Sequence, residues 1–347
     1  MISTQPLKIW FPAIRAGSGA DVFVERLAQA LERAGHEPVV QWFEHSYELM
    51  PWRLKKFAAP NGIDIVHANS WQAFAFKREG IPLIVTEHHY VLDPAFRPYK
   101  SSLQHLYHRT MVGGFMRRSF EAADIIATDS QFTAQVLSRC VDIDVAKVIP
   151  LWVDYEKFSP PGAYSSDPDD SRPFRLLYVG NASRRKGADV IPELADRLGN
   201  RFEVRCTAGL RDTTALGISA NVKILGRRSQ DELIDEYRRC DAVLVPSRYE
   251  GFGYAALEAM ACGKPVVGFS CGAVDEVVVN GETALLCPID DIDRLAIDCR
   301  RLAEDRKFGR ALGMSGRERA ISVFTEQSAV EAYLELYRSI AVRRRES

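Results

Sequence analysis

Along its length the chain alternates short apolar runs with stretches whose apolar positions recur every three to four residues. The runs KIWFPA, EPVVQWF, DIVHAN, PLIVTE, DIIATDS and KVIPLWV occupy the first half, and ADVFVERLAQALERAG, between the first two, has helical spacing and stops at Gly35. After Asp154 the order begins again. FRLLYVG, FEVRCTAG, NVKILG, DAVLVPS, PVVGF and TALLCP follow one another, separated by helical stretches such as SQDELIDEYRRC. Apolar strands that alternate with helices predict parallel sheets covered by helices on both faces. The expected fold class is α/β, with two Rossmann-like, doubly wound domains facing each other across a cleft.

Between the two halves, DYEKFSPPGAYSSDPDDSRPF is rich in Pro, Ser and Asp and has no period. It reads as a domain linker, because a structureless loop of this length is uncommon inside one compact sheet. The expected division is residues 1–153, a linker over 154–173, and a second domain over 174–325. The closing stretch 326–347 is a candidate to cross back to the first domain. In doubly wound sheets ligands sit at the carboxyl ends of the strands, so the chemistry is expected there.

A length of 347 residues accommodates two such domains, and 46% hydrophobic with 26% charged residues is an ordinary globular composition. A formal net charge of -1 gives no domain-wide basic footprint, and nucleic acid is not expected as a partner. The seven cysteines form no C-x-x-C and mostly sit beside apolar residues, which suggests reduced core thiols. No segment approaches the ~20 apolar residues of a membrane-spanning helix. A cytoplasmic protein is expected, with the inner membrane face as a candidate surface.

Two segments carry candidate chemistry. In PSRYEGFGYAALEAMACGKPVV, Glu250 and Glu258 flank a Gly-Phe-Gly turn at the start of an alanine-rich helix. Gly251 and Gly253 permit a sharp turn and a close ligand approach, and the first amides of the helix offer a positive dipole end. Glu258, about one turn in, is placed to accept hydrogen bonds from vicinal hydroxyls. In YVGNASRRKGADV, Arg184, Arg185 and Lys186 follow an apolar strand and precede Gly187. A basic triplet is usually a solvated surface, but at a strand end beside the glutamate loop these groups could grip a diphosphate.

These segments, together with GAVDEVVVNGETALL, resemble the donor domain of the retaining glycosyltransferases of family 4, which have the two-domain GT-B fold. AGSGADVFVERLAQALERAGHEP is similar to that family's first loop and helix, VTEHH to its Thr-x-His strand end, and VIPLWVDYEKFSP to its passage into the linker. Leu151 and Trp152 stand where the family usually has Asn-Gly. Asn181 stands where many members have Arg, which leaves the diphosphate to Arg185 and Lys186.

The resemblance implies transfer of a hexosyl unit from a nucleotide diphosphate sugar to a glycan or lipid-linked acceptor in surface-polysaccharide or lipopolysaccharide-type biosynthesis. Glu250, Arg185, Lys186 and His88 would carry catalysis. Glu258, Gly251, Phe252, Gly253, Ser18 and Gly19 would hold the donor. No cofactor and no metal are expected. A nucleotide-sugar isomerase of the epimerase type, with the same architecture, is the alternative reading, followed by a non-catalytic sugar-nucleotide binding protein.

Three Asp-x-Asp sequences, at 142–144, 167–169 and 291–293, are read as caps and turns, not as metal sites. The His pair of HLYH at 105–108 lacks neighbouring ligands for a metal. Residues 96–118 hold five basic groups and no acid. Leu103, Leu106, Tyr107, Met111 and Phe115 are expected to form one apolar stripe on a helix there. That stripe either packs on the first domain or, with WRLKKF at 52–57, meets an anionic membrane.

Overall fold

The computed structural model describes residues 5–161, 172–207 and 219–343, so residues 162–171 of the expected linker lie outside the described residues. The chain divides into two compact units, the first formed by residues 1–151 and 326–347, the second by 152–325.

The first unit holds a six-stranded sheet made of β1 (Lys8–Ile14), β2 (Glu37–Phe43), β3 (Ile65–Asn69), β4 (Leu83–Glu87), β5 (Ile125–Thr128) and β6 (Lys147–Val148), in the order β2-β1-β3-β4-β5-β6. All pairings between these strands are parallel. Ile9, Trp10, Ile65, Val66, Leu83, Ile84 and Val85 are wholly buried, which is why β1, β3 and β4 are apolar at successive positions. The helix Gly19–Arg33 buries Phe23, Leu27 and Leu31, the face that its spacing predicts.

The last helix, Glu326–Arg343, belongs to this first unit although it follows the second in sequence. Its Tyr337 hydroxyl lies 2.8 Å from His67 Nδ1, and His67 Nε2 lies 2.7 Å from Thr86 Oγ1. Arg33 pairs with Glu326 at 2.7 Å and Lys147 with Glu335 at 2.9 Å.

Residues 96–118 do not form one helix with one buried stripe. A 3-10 turn (Pro94–Tyr99), a short α-helix (Ser102–Tyr107), a π turn (His108–Val112) and a second α-helix (Gly113–Ala122) follow in succession. The wider π turn breaks the register, so Phe115 and Met116 are buried while Leu103 and Leu106 are 77% and 56% exposed. Lys100 is no surface cation either. Its Nζ donates to the Val91 carbonyl, and burial lowers its pKa to about 8.

In the second unit the strands are β7 (Phe174–Tyr178), β8 (Phe202–Thr207), β9 (Val222–Gly226), β10 (Ala242–Val245), β11 (Val266–Phe269) and β12 (Ala284–Cys287). They form a parallel sheet in the order β12-β11-β10-β7-β8-β9. Asp142 ends the helix Gln131–Val141 in a left-handed conformation (φ 53°), and Asp291 caps Ile292–Glu304 by accepting from Arg294 N. Both aspartates thus stand at helix ends, Asp142 by its backbone and Asp291 by its carboxylate; residues 167–169 lie outside the described residues. All seven cysteines are free.

Candidate active site

In the second unit the strand order reverses between β7 and β10, and in doubly wound sheets the carboxyl ends of the two strands at such a reversal are where ligands bind. Both candidate segments lie in the loops that leave these two strands. After β7, Ser183 caps the turn Arg184–Lys186 by accepting from Lys186 N, and Gly187 then takes a left-handed φ of 70°. A Cβ at Gly187 would lie 1.9 Å from the Pro246 carbonyl oxygen, so only glycine allows the two loops to touch. Arg248 N closes the contact by donating to the Arg185 carbonyl at 2.8 Å.

This interlock brings the predicted charges together. Lys186 Nζ lies 2.5 Å from Glu250 Oε2, and Arg185 Nη1 lies 3.6 Å from the same oxygen while donating to the Tyr249 carbonyl at 3.0 Å. The three side chains are 20%, 23% and 11% exposed for Lys186, Arg185 and Glu250, so the cluster is sheltered but reachable. Two cations share one carboxylate. The surplus positive charge suits an anionic ligand.

Arg248 was missed by sequence reasoning and underlies the whole arrangement. Its buried guanidinium donates to the Arg184 carbonyl at 2.6 Å and to Asp189 Oδ1 at 2.7 Å from Nη1, and to Asp290 Oδ1 at 2.6 Å from Nε. Asp290 itself holds a left-handed φ of 66°, a strained backbone for a residue with a Cβ. In the sequence Arg248 is one basic residue in a loop. Its partners lie 59 and 42 residues away, so no local signal marks it.

Glu258 sits on the helix Tyr254–Ala261, whose N-cap is Gly253 at φ 107°. The carboxylate is buried, and Tyr237 donates its hydroxyl to Oε2 at 3.0 Å. Burial and the facing carboxylate push the Tyr237 pKa well up, so the phenol stays a proton donor. Phe252 is buried against Phe324 and Tyr254, which limits its contribution in the Gly251–Gly253 turn to its backbone.

The remaining candidates belong to the first unit. His88 follows β4, and its Nδ1 lies 2.9 Å from Asp129 Oδ2. Burial opposes a charged ring, but Asp129 and then Glu87 outweigh it, and the His88 pKa is raised. Glu87 is buried with Oε1 accepting from His89 N; burial raises its pKa to about 7, against the Ser70 hydroxyl and the neighbouring His88. Phe23, one turn into the first helix, packs edge-on against His88 at 4.9 Å, so the Ser18-Gly19 turn and His88 share the carboxyl edge of this sheet. Ser18 and Gly19 are exposed, and the preceding amides of Ala16 and Gly17 are already taken by the Asp21 carboxylate at 3.0 and 2.7 Å.

Residues 166–319 match the family described as glycosyl transferases group 1, and residues 41–157 match glycosyltransferase family 4. The alpha-maltose-1-phosphate synthase of Mycolicibacterium smegmatis is 30% identical over 317 residues, 80% of this chain and 79% of that one. The chain belongs to glycosyltransferase family 4. As a family 4 glycosyltransferase it is an enzyme of the hexosyltransferase class. Two solved structures share its fold. Sucrose-phosphate synthase of Thermosynechococcus elongatus superposes with a TM-score of 0.80 at 21% identity, covering 97% of this chain and all of that one. Anabaena HepE in complex with UDP-glucose superposes with a TM-score of 0.75 at 19% identity, over 96% of this chain and all of that one. The family 4 enzyme therefore has the GT-B fold, with one parallel sheet in each unit. Among the described residues no group of three or more His, Cys, Asp or Glu is placed to hold a metal ion.

Proposed function

We propose that the enzyme transfers a hexosyl unit from a nucleoside diphosphate sugar to a glycan or lipid-linked acceptor, with retention of anomeric configuration and without a divalent metal. The observation that carries this reading is the Arg185–Lys186–Glu250 cluster at the switch point of the second sheet. In this scheme the diphosphate displaces Glu250 from the two cations, and the freed carboxylate accepts hydroxyls of the hexose. Glu258, held by Tyr237, accepts the ribose hydroxyl pair. His88, oriented by Asp129, is assigned to the hexose, and Ser18 and Gly19 to the phosphate or acceptor.

Breaking the anomeric bond leaves negative charge on the diphosphate and positive charge on the ring. Arg185 and Lys186, fixed in advance by the interlocked loops, stabilise the first charge, and the chain needs no ion to do so. The acceptor oxygen attacks from the face that the diphosphate leaves. Its proton passes to a phosphate oxygen, which balances the step without a protein nucleophile. An anionic membrane surface is the second partner in this reading, and a cytoplasmic location at the inner membrane face suits it.

Names among the similar proteins support transfer over isomerisation: an α-(1→4)-mannosyltransferase of Mycolicibacterium hassiacum is 27% identical over 81% of this chain and 71% of that one. A panel of UDP-, GDP- and ADP-hexoses, followed by proton NMR of the product, tests the reading. Acceptor-dependent release of nucleoside diphosphate with an α-linked product from an α-linked donor is expected, unchanged by EDTA. Conversion of the nucleotide sugar without acceptor, an inverted product, or activity lost to EDTA and restored by manganese would each overturn it.

A further inference from the structure

Of the large hydrophobic side chains that the enzyme leaves in solvent, six lie in two segments of the first unit: Leu49, Met50 and Trp52 in one, Leu103, Leu106 and Met111 in the other. The segments touch. The Tyr107 hydroxyl donates to the Glu48 carbonyl at 3.4 Å, and the Trp52 ring lies 5.8 Å from Phe115. Leu103 stands one turn before Tyr107 on the helix Ser102–Tyr107, so this contact brings the segment that carries it against the segment that carries Leu49 and Met50. The exposed apolar residues thus lie on two adjoining segments.

The charge around them departs from the rest of the chain. Residues 45–56 and 96–118 carry eight Lys and Arg against one acid, Glu48, whereas the whole chain carries 45 basic and 46 acidic residues. Glu48 is half-buried and its pKa is raised, first by burial, which weakens it as a counter-charge. Arg53, Lys55 and Arg109 are exposed beside the apolar residues. Three of the eight cations are otherwise engaged, Lys100 with the Val91 carbonyl, Arg118 over the Phe74 ring at 4.2 Å and Lys56 over the Phe57 ring at 5.2 Å. The break in helical register at His108–Val112 is what turns Leu103 and Leu106 outward while Phe115 stays in the core.

We propose that this surface docks on an anionic lipid leaflet, with Leu49, Met50, Trp52, Leu103, Leu106 and Met111 entering the interface and Arg53, Lys55 and Arg109 meeting the headgroups. Shallow apolar insertion and cationic attraction act together, as in interfacial helices, and each cation at an anionic surface contributes roughly fivefold in partitioning. The proposal rests on the proposed acceptor only for why docking is useful. A lipid-linked acceptor would be met where it resides.

Co-sedimentation with phosphatidylcholine vesicles, with and without phosphatidylglycerol, tests it on the full chain. The wild type is expected to bind the anionic vesicles and to be released by salt. The pairs Leu103→Glu/Leu106→Glu and Arg53→Glu/Lys55→Glu each lower binding by more than about tenfold, since each removes two contacts from the surface. All four side chains are exposed, so melting temperature and turnover on a soluble acceptor stay at wild-type values. Wild type that ignores phosphatidylglycerol, or variants that bind as wild type does, would overturn the proposal. Concentration-dependent dimerisation abolished by Leu103→Glu/Leu106→Glu, without vesicle binding, would assign the surface to a second copy instead. Vesicle binding is read without substrate, so it stands or falls separately from the transfer reading.

Discussion

Lys186 and Glu250 form an ion pair of 2.5 Å across the two loops at the switch point of the second sheet, sixty-four residues apart in the chain. In the proposed reading the pair places the cation assigned to the diphosphate and the carboxylate assigned to sugar hydroxyls within one ligand's reach. Lys186→Ala is expected to lower kcat roughly 100-fold, in line with about 3 kcal/mol for one preorganised charge donor. Glu250→Gln should lower kcat more than it raises the donor KM. Because the groups share one contact, the double variant should fall short of the product of the single effects. Steady-state kinetics of the four proteins would refute the pairing if the losses multiply.

Tyr237 and Glu258 predict a different signature. Tyr237→Phe removes a hydrogen bond to a carboxylate, typically about 1.5–3 kcal/mol, from a group assigned to ground-state binding of the ribose. The donor KM should rise at least tenfold with kcat little changed, and Glu258→Ala should raise it further. Calorimetric titration with nucleoside diphosphate checks the same point without turnover. Wild-type affinity in both variants would remove Glu258 from the site.

Arg248 acts through its neighbours. Arg248→Ala leaves Asp189 and Asp290 without their shared cation and frees the Arg184 carbonyl; the two carboxylates are 34% and 54% exposed, so the cost stays below the roughly 3–5 kcal/mol of a fully buried pair. A lower melting temperature and a lower kcat are expected together. Arg248→Lys should recover much of the stability but less of the kcat, because one ammonium cannot reproduce the fork that sets Arg185 and Lys186. Equal recovery of both would mark Arg248 as a purely structural residue.

His67 gives a pH dependence with a defined sign. Burial, and then the charge of His88, lower its pKa from 6.5 to about 3, and both ring nitrogens are engaged, by Tyr337 and Thr86. The unfolded chain therefore binds a proton that the folded one refuses, so stability is full above pH 6.5 and falls as pH drops towards 3. At pH 5 the loss is roughly 2 kcal/mol, from about 1.4 kcal/mol per pKa unit. Urea unfolding at pH 7.5 and pH 5 should show this loss in the wild type and a smaller one in His67→Gln. An equal loss in both would place the acid sensitivity elsewhere.

Glu87 has the opposite sign. Its pKa is raised to about 7, chiefly by burial, so the folded state holds a proton that the unfolded chain releases near pH 4.5. Its contribution is present below pH 4.5 and is lost as pH rises to 7. Glu87→Gln should therefore gain stability relative to wild type between these values and hold the gain above them, read from melting temperatures across pH. A difference that stays flat with pH would contradict the burial argument.

Much of this was already set by sequence-local physics. Runs such as PLIVTE and DAVLVPS have no polar face, and a strand with no polar face belongs in a sheet covered on both sides, so both parallel sheets follow from the pattern. Glu250, Glu258, Arg185 and Lys186 were legible because glycines and strand ends mark the loops that carry them. Partners were not legible, since they come from residues far apart in the chain. Only the folded chain joins Arg248 to Asp189 and Asp290, sets Tyr237 on Glu258, and brings the last helix to His67. The stripe on residues 96–118 failed for a related reason. A period of 3.6 holds only while the helix stays α, and the π turn His108–Val112 turns the two halves of the stripe to different surroundings, Phe115 into the core and Leu103 into solvent.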